Sequence, residues 1–256
     1  MKVDKISISG VKLFKACRRA YELKYIYGLE PVEKAETLET GFNYHEKIEE
    51  LCRTGDVDTS DLSKESAMVL AYKKYIYPKF VVKSTEEWFE YLLPNGAKLI
   101  GRVDGITNDG QLVEHKTTSS EIGEDYEYNL LWDEQLMAYM LATGARQVWY
   151  TVCRKPTIRQ KKGESDEEFF QRMVEWYDED TDSKIRFLRL ERTEREIAEF
   201  LLDLRKTIYD IEHCDHYYKN CNHCQRWGRR CEYASICLHY DPDHEYIEFR
   251  KREREV

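Results

Sequence analysis

The sequence predicts a single α/β domain, with a mixed central sheet flanked by helices and a cysteine-rich tail. Three observations carry this expectation. Segments with apolar residues at helical spacing alternate with short runs of strand character. Two consecutive strand-like runs, Lys98 to Ile106 and on to His115, meet at Asn108-Asp109-Gly110 and read as a hairpin. No repeat or low-complexity linker divides the 256 residues, a length ample for one large core.

Taken in order, Ser9 to Tyr27 is predicted helical, with Val11, Phe14, Cys17, Tyr21 and Tyr25 at spacings of three and four and Gly28 as the stop. Thr37 to Arg53 is a second helix, its stripe running Leu38, Phe42, His45, Ile48 or Glu49, and Cys52. Gly41 lies one turn before His45 on that face, and an interior glycine costs about 1 kcal/mol against alanine, so a close neighbour is expected there. Ser63 to Tyr77 is a third helix, broken by Pro78. Phe80 to Leu93 leans to strand at both ends and is ambiguous from Ser84 to Glu87, before a Pro94-Asn95-Gly96 turn. Glu121 to Tyr128 reads as an acidic loop. Asn129 to Thr143 is a helix whose stripe is Leu131, Gln135, Ala138, Tyr139 and Ala142. Gln135 and Tyr139 face the same way one turn apart, and a glutamine in an apolar stripe needs a polar partner such as Lys116. Arg146 to Cys153 is a strand, Ser165 to Tyr177 a helix and Lys184 to Leu190 a strand. Thr193-Glu-Arg-Glu196 is a capping box that opens a long helix to about Cys214.

Charged residues make up 35% of the chain and the net charge is −9, which argues against holding nucleic acid by bulk charge. Local basic surface is still present. Arg154 to Lys162 carries five basic residues and no acidic one, and Arg226, Arg229 and Arg230 surround Trp227. No apolar run reaches the length of about 18 residues that suggests a membrane span. Met1 to Ser9 has neither the apolar stretch nor the cleavage site of a secretory signal, so a cytoplasmic protein is expected. In that reducing setting eight cysteines read as metal ligands or core thiols before disulfides.

The chemistry concentrates on the hairpin. Strand residues alternate between faces, so Glu114 and Lys116 share one. A two-residue Asp-Gly turn would pair Asp104 with His115 and separate the carboxylates. A three-residue loop, with Gly110 left-handed, pairs Asp104 with Glu114 instead. In the second register two carboxylates and one ammonium converge on an otherwise apolar hairpin. Buried charge of that kind requires pairing or a metal, and carboxylate oxygens suit a hard cation such as magnesium. The same residues also fit a solvent-facing hairpin of alternating charge.

The tail, Cys221-Asn-His-Cys224-Gln-Arg-Trp-Gly-Arg-Arg-Cys231-Glu-Tyr-Ala-Ser-Ile-Cys237, packs four cysteines into a short stretch, a strong metal signal. All four could hold zinc, or three with a distant fourth could hold an iron–sulfur cluster.

Together these pieces resemble the PD-(D/E)XK nuclease superfamily over nearly the whole chain. They are most similar to its iron–sulfur-containing RecB-type branch, with the exonucleases of CRISPR adaptation, AddB-type recombination nucleases and related phage proteins. The family's Gly-x-x-x-His element matches Gly41-Phe-Asn-Tyr-His45. Its motif aspartate matches Asp104, its Glu-x-Lys matches Glu114-His-Lys116, and its Gln-x-x-x-Tyr helix matches Gln135-Leu-Met-Ala-Tyr139. The family also places one cluster cysteine near the N-terminus and three near the C-terminus, which selects Cys17, Cys231 and Cys237. Cys224 fits the phage-like spacing for the remaining ligand and Cys221 is the alternative; Cys52, Cys153 and Cys214 are left as structural thiols.

The resemblance implies one nuclease domain over 1–256: a catalytic core at about 37–213, and a cluster lobe from 9–27 and 214–240 that ties the chain ends together. It implies hydrolysis of DNA phosphodiester bonds with one or two magnesium or manganese ions held by His45, Asp104, Glu114 and the main-chain carbonyl of His115. Lys116 would position water and stabilise developing charge, while Gln135 and Tyr139 orient Lys116 or touch DNA. A 4Fe-4S cluster, or zinc in its place, would occupy the cysteines. The expected partners are DNA with a single-stranded portion and a helicase or recombination chain, since no phosphate-binding Gly-Lys-Ser/Thr loop is present. The rival class is a non-catalytic zinc- or cluster-stabilised module that binds nucleic acid or protein, for which Asp104, Glu114 and Lys116 would not be needed together.

Overall fold

The strand Leu112–Thr118 is hydrogen-bonded on both sides. It pairs antiparallel with Lys98–Thr107 and parallel with Gln147–Arg154, which in turn pairs antiparallel with Ile185–Glu191. Val82–Leu92 lies along the other side of Lys98–Thr107. These assignments come from a computed structural model that describes residues 2–32, 36–226 and 229–251. Trp227 and the side chains of Arg226 and Arg229, expected to form an aromatic–basic cluster, lie outside the described residues.

The chain separates into two compact units. One comprises Glu36–Phe89 and Gly101–Ile197; the other comprises Met1–Ala35, Glu90–Ile100 and Ala198–Val256. The first holds most of the mixed sheet. Its parallel pair needs a crossover, supplied by the helices Glu124–Leu130 and Glu134–Thr143 between the two strands. Both faces are covered. Tyr44, Ile48 and Leu51 from the helix Glu36–Thr54 pack with Met68, Tyr72, Tyr177 and Cys153 in one core. Val103, Leu112, Leu136, Met140, Val148 and Val152 form a second. Cys153 and Val152 enter different cores because successive strand residues point to opposite faces, which is why this strand is apolar almost throughout.

In the other unit, Leu29–Pro31 pairs antiparallel with Phe249–Lys251, and the Tyr233 hydroxyl donates to the Leu29 carbonyl at 3.0 Å. Cys17, Ala20, Leu23, Tyr233 and Ile236 form its core, with Cys231 and Cys237 packed against it. The strand Lys5–Ser7 runs parallel to the start of Lys98–Thr107 within the same unit.

Four local expectations are corrected. The predicted helix Ser9 to Tyr27 is interrupted at Cys17, which is extended between Ile8–Ala16 and Arg18–Tyr21, with a π-helical turn at Glu22–Ile26. The Ala16 carbonyl accepts from the Asn220 side chain at 2.8 Å and the Asn220 N–H points at Cys17 Sγ at 3.5 Å, so a distant segment uses the groups freed by the break. The expected helix Asn129 to Thr143 begins at Glu134, because Asp133 caps it by accepting the Gln135 N–H at 2.9 Å; Leu131 is left exposed. The supposed acidic loop is helical from Glu124, where three acids in the first turn meet the partial positive charge of a helix start. Phe42 is exposed, and the buried stripe of its helix is Tyr44, Ile48 and Leu51.

Candidate active site

The hairpin takes the three-residue loop. Gly110 sits at φ +79°, a left-handed position that glycine occupies without steric cost, and donates to the Thr107 carbonyl at 3.0 Å. The register sets Gly105 opposite Val113 and Ile106 opposite Leu112; one residue further, Asp104 stands opposite Glu114. There the main-chain ladder gives way. Asp104 Oδ2 accepts the His115 N–H at 2.7 Å, in the place of a strand carbonyl. The N–H and C=O of a strand residue point to the same edge, so the His115 carbonyl faces the Lys98–Thr107 strand as well.

Around this opening the structure gathers every hairpin residue singled out from sequence. Glu114 is wholly buried. Its Oε1 accepts from Lys116 Nζ, while Oε2 has no hydrogen-bond partner among the described residues. Lys116 also reaches Gln135 Oε1 at 3.3 Å, and Gln135 Nε2 donates to the Tyr139 hydroxyl at 2.5 Å. The glutamine of the helical stripe thus has the lysine as its polar partner. From the helix Glu36–Thr54, His45 Nδ1 lies 3.6 Å from Asp104 Oδ1. Among the described residues a Cβ at Gly41 would meet only Thr117 Oγ1, at 3.7 Å, so none of them presses on this glycine closely enough to require it. The His115 ring points elsewhere: Nδ1 is 2.7 Å from Thr151 Oγ1 and the ring packs edge-on against Tyr72.

Burial and charge act against each other here. Burial pushes the Glu114 carboxyl up to about 8; Lys116 opposes this and the Asp104 charge reinforces it. Burial, the largest single influence, disfavours ionised Asp104, but His45, His115 and Lys116 together outweigh it and hold the carboxyl well below the usual range. His45 is raised: burial alone would lower it, and the Asp104 carboxylate prevails. Lys116 stays protonated because Glu114 and Asp104 overcome its burial. Burial takes the His115 imidazole down to about 3, so its ring is neutral.

One functional candidate escaped the sequence reading. Ligand atoms of His45, Glu86 and Asp104 all lie within 4.8 Å of one another. Glu86 sits in the strand Val82–Leu92 with φ +55°, a left-handed backbone that a glutamate adopts only under constraint, and this turns its carboxylate towards the group. Three residues on, the Phe89 ring covers Gly101 so closely that an added Cβ would stand 2.5 Å from it. The signal was the ambiguous stretch from Ser84 to Glu87, where strand alternation fails.

The donor set suits a hard divalent cation: two carboxylates and an imidazole at His45, Glu86 and Asp104, with the unpartnered Glu114 oxygen nearby. Among the described residues no group of three or more cysteines meets the same spacing. Cys17 is buried, Cys231 and Cys237 are half-buried, and Cys221 and Cys224 are exposed, all as free thiols. Cys231 donates its N–H to the Cys224 carbonyl at 2.9 Å.

The fold and hairpin define an α/β protein with an acidic, lysine-bearing centre where two strands part. The chain belongs to the PD-(D/E)XK nuclease superfamily, whose family model matches residues 61–238. No curated protein matches it. Among solved structures it resembles a protein from Eubacterium rectale described only provisionally as an exonuclease, at 13% identity and TM-score 0.55, covering 86% of this chain and 85% of that one. A phage-related exonuclease from Haemophilus somnus 129PT aligns at 15% identity and TM-score 0.37, over 83% and 95% of the two chains. An alkaline exonuclease from Laribacter hongkongensis aligns at 14% identity and TM-score 0.34, over 81% and 91%.

Proposed function

We propose that this protein is a metal-dependent DNA nuclease of the exonuclease type, within the RecB-like iron–sulfur branch of its superfamily. The observation that carries the reading is the buried, unpartnered Glu114 oxygen beside Lys116 and opposite Asp104. A buried carboxylate oxygen left without a partner costs about 1–3 kcal/mol, and a cation in the opening would supply that partner. Asp104, Glu114, His45 and the His115 carbonyl would hold one or two magnesium or manganese ions, with Glu86 as an additional ligand. Such a cation supplies Lewis acidity towards a phosphoryl oxygen and lowers the pKa of water.

The protein's own part is positioning. Lys116, held by Glu114 and by Gln135, presents a permanent positive charge where a pentavalent phosphorane would accumulate negative charge, and it orients the attacking water. Tyr139 fixes Gln135, which in turn fixes Lys116. The basic segment from Arg154 to Lys162 would track the backbone of DNA with a single-stranded portion, and a separate helicase or recombination chain would supply the strand. The exonuclease type is carried over from the Eubacterium rectale protein.

The cysteine region is proposed to hold a 4Fe-4S cluster through Cys17, Cys224, Cys231 and Cys237, with Cys221 as the alternative fourth ligand and zinc as the alternative metal. The packing of Cys17, Cys231 and Cys237 about one core, and the Asn220 N–H aimed at Cys17 Sγ, support this set.

The test is cleavage of single- and double-stranded DNA carrying 5′ or 3′ labels, by anaerobically purified protein in magnesium, manganese or EDTA. Cleavage that needs metal and disappears in Glu114→Ala is the expected result, and the label released first gives the polarity. A folded, metal-loaded wild type that binds DNA without cutting it would instead identify a binding module.

A further inference from the structure

Trp88 is one of several large apolar side chains left exposed in the catalytic unit, with 68% of its surface open, on a strand whose neighbouring Phe89 is turned inward. Its ring carries the Arg102 guanidinium at 5.6 Å from the ring centroid. Arg102 belongs to the strand Lys98–Thr107, two residues before Asp104 and therefore on the same side of that strand. Arg102 Nε stands 2.5 Å from Glu86 Oε2, and Glu86 is a member of the acidic group with His45 and Asp104. An unbroken line of contacts thus runs from the open indole, through one guanidinium, to the carboxylates.

We propose that Trp88 and Arg102 form a stacking platform for an unpaired DNA base next to the phosphate that would be drawn to the metal site of Asp104 and Glu114. This rests on the nuclease reading and extends it to the form of the substrate. An exposed indole beside a guanidinium suits a nucleobase: the ring offers a flat apolar face and the cation attracts both π-electrons and phosphate. The occupant is single-stranded. A base within a duplex is already stacked on its neighbours, so only a frayed end or single strand presents a free face to the ring. Stacking needs no particular base, so recognition here is sequence-tolerant. The platform also suits an acidic protein, since it contributes binding without relying on bulk positive charge.

Arg102 gives the platform a second consequence. Its guanidinium engages the Glu86 carboxylate and the Trp88 ring together, so a base or phosphate that draws on Arg102 alters what faces Glu86. Occupancy of the platform is thereby coupled to the acidic group.

The experiment is single-turnover cleavage of a labelled single strand in manganese by wild type, Trp88→Ala and Trp88→Phe, repeated with one abasic residue moved along the strand. Trp88→Ala is expected to raise the half-saturating protein concentration about 5- to 150-fold, the span of a single base–aromatic stack, with a much smaller change in maximal rate. Trp88→Phe should restore most of the loss. Wild type should show one abasic position that weakens saturation, and Trp88→Ala should no longer register it. Equal saturation of wild type and Trp88→Ala, or an abasic position felt equally by both, overturns the platform. Tryptophan fluorescence separates this from the nuclease reading. Quenching by an oligothymidylate in wild type that is lost in Trp88→Phe supports the platform even without cleavage, while cleavage without that difference refutes the platform alone.

Discussion

Replacing Glu114 with glutamine should flatten the pH dependence of stability in the metal-free protein. Glu114 is fully buried and its carboxyl titrates at about 8 when folded, against about 4.5 in an unfolded chain. Between those values only the folded chain keeps the proton. The stability contributed is therefore complete below about 4.5 and is lost as pH rises through about 8. Each pH unit inside that window is worth at most about 1.4 kcal/mol, so the loss between about pH 6 and 8 is roughly 1–3 kcal/mol, or about 2–10 °C in Tm for a chain of this size. His45, whose pKa is also raised, contributes a loss of the same sign. Lys116 is not stranded by the substitution, because the glutamine carbonyl and Gln135 can both accept from it. Thermal denaturation in EDTA across pH 6 to 9 measures the effect. Wild type should lose stability with rising pH, Glu114→Gln should lose markedly less, and manganese should stabilise wild type far more than the variant. Manganese at about 100 times its dissociation constant adds about 2.7 kcal/mol. Equal pH slopes in EDTA, or equal stabilisation of both proteins by manganese, would refute the assignment of Glu114 as a buried carboxylate awaiting a cation.

Other outcomes follow from the same geometry. Lys116→Met should fold and bind manganese yet cleave DNA about 100- to 1,000-fold more slowly, the usual loss when one preorganised charge-stabilising donor is removed; cleavage at the wild-type rate would remove Lys116 from the mechanism. Manganese affinity, measured by calorimetry, should rise with pH to about 8 and release protons, because Glu114 and His45 must both deprotonate to act as ligands; an affinity independent of pH would contradict their place in the site. Cys17→Ser should lose both the visible absorbance expected of an iron–sulfur protein and several degrees of Tm, and a variant that keeps both shows that Cys17 is not a ligand.

The parts legible in the sequence were those set by local chemistry. Asn108-Asp109-Gly110 suits a three-residue loop with a left-handed glycine, which needs no distant support, and in that loop Asp104, Glu114 and Lys116 share a face; the two-residue turn was the open alternative that the register excludes. Thr193 and Glu196 cap their helix through contacts three residues apart. Long-range effects were not legible. The extended backbone at Cys17 depends on Asn220, some 200 residues away, and the left-handed Glu86 exists only within its strand setting. Asp133 lay in a segment with good helical spacing, and the cap it forms with Gln135 overrode that pattern. The interplay of His45, Glu86 and Asp104 needed three separate segments in place before it could be read.

Anomalous diffraction from crystals soaked in manganese would locate the cation on which the whole reading depends. The expected result is manganese bound by Asp104 and by the free oxygen of Glu114, with His45 in reach. Manganese absent from this opening in a protein that still cleaves DNA, or held there with Glu114 turned away, would contradict the central claim that the hairpin carboxylates form the catalytic metal site.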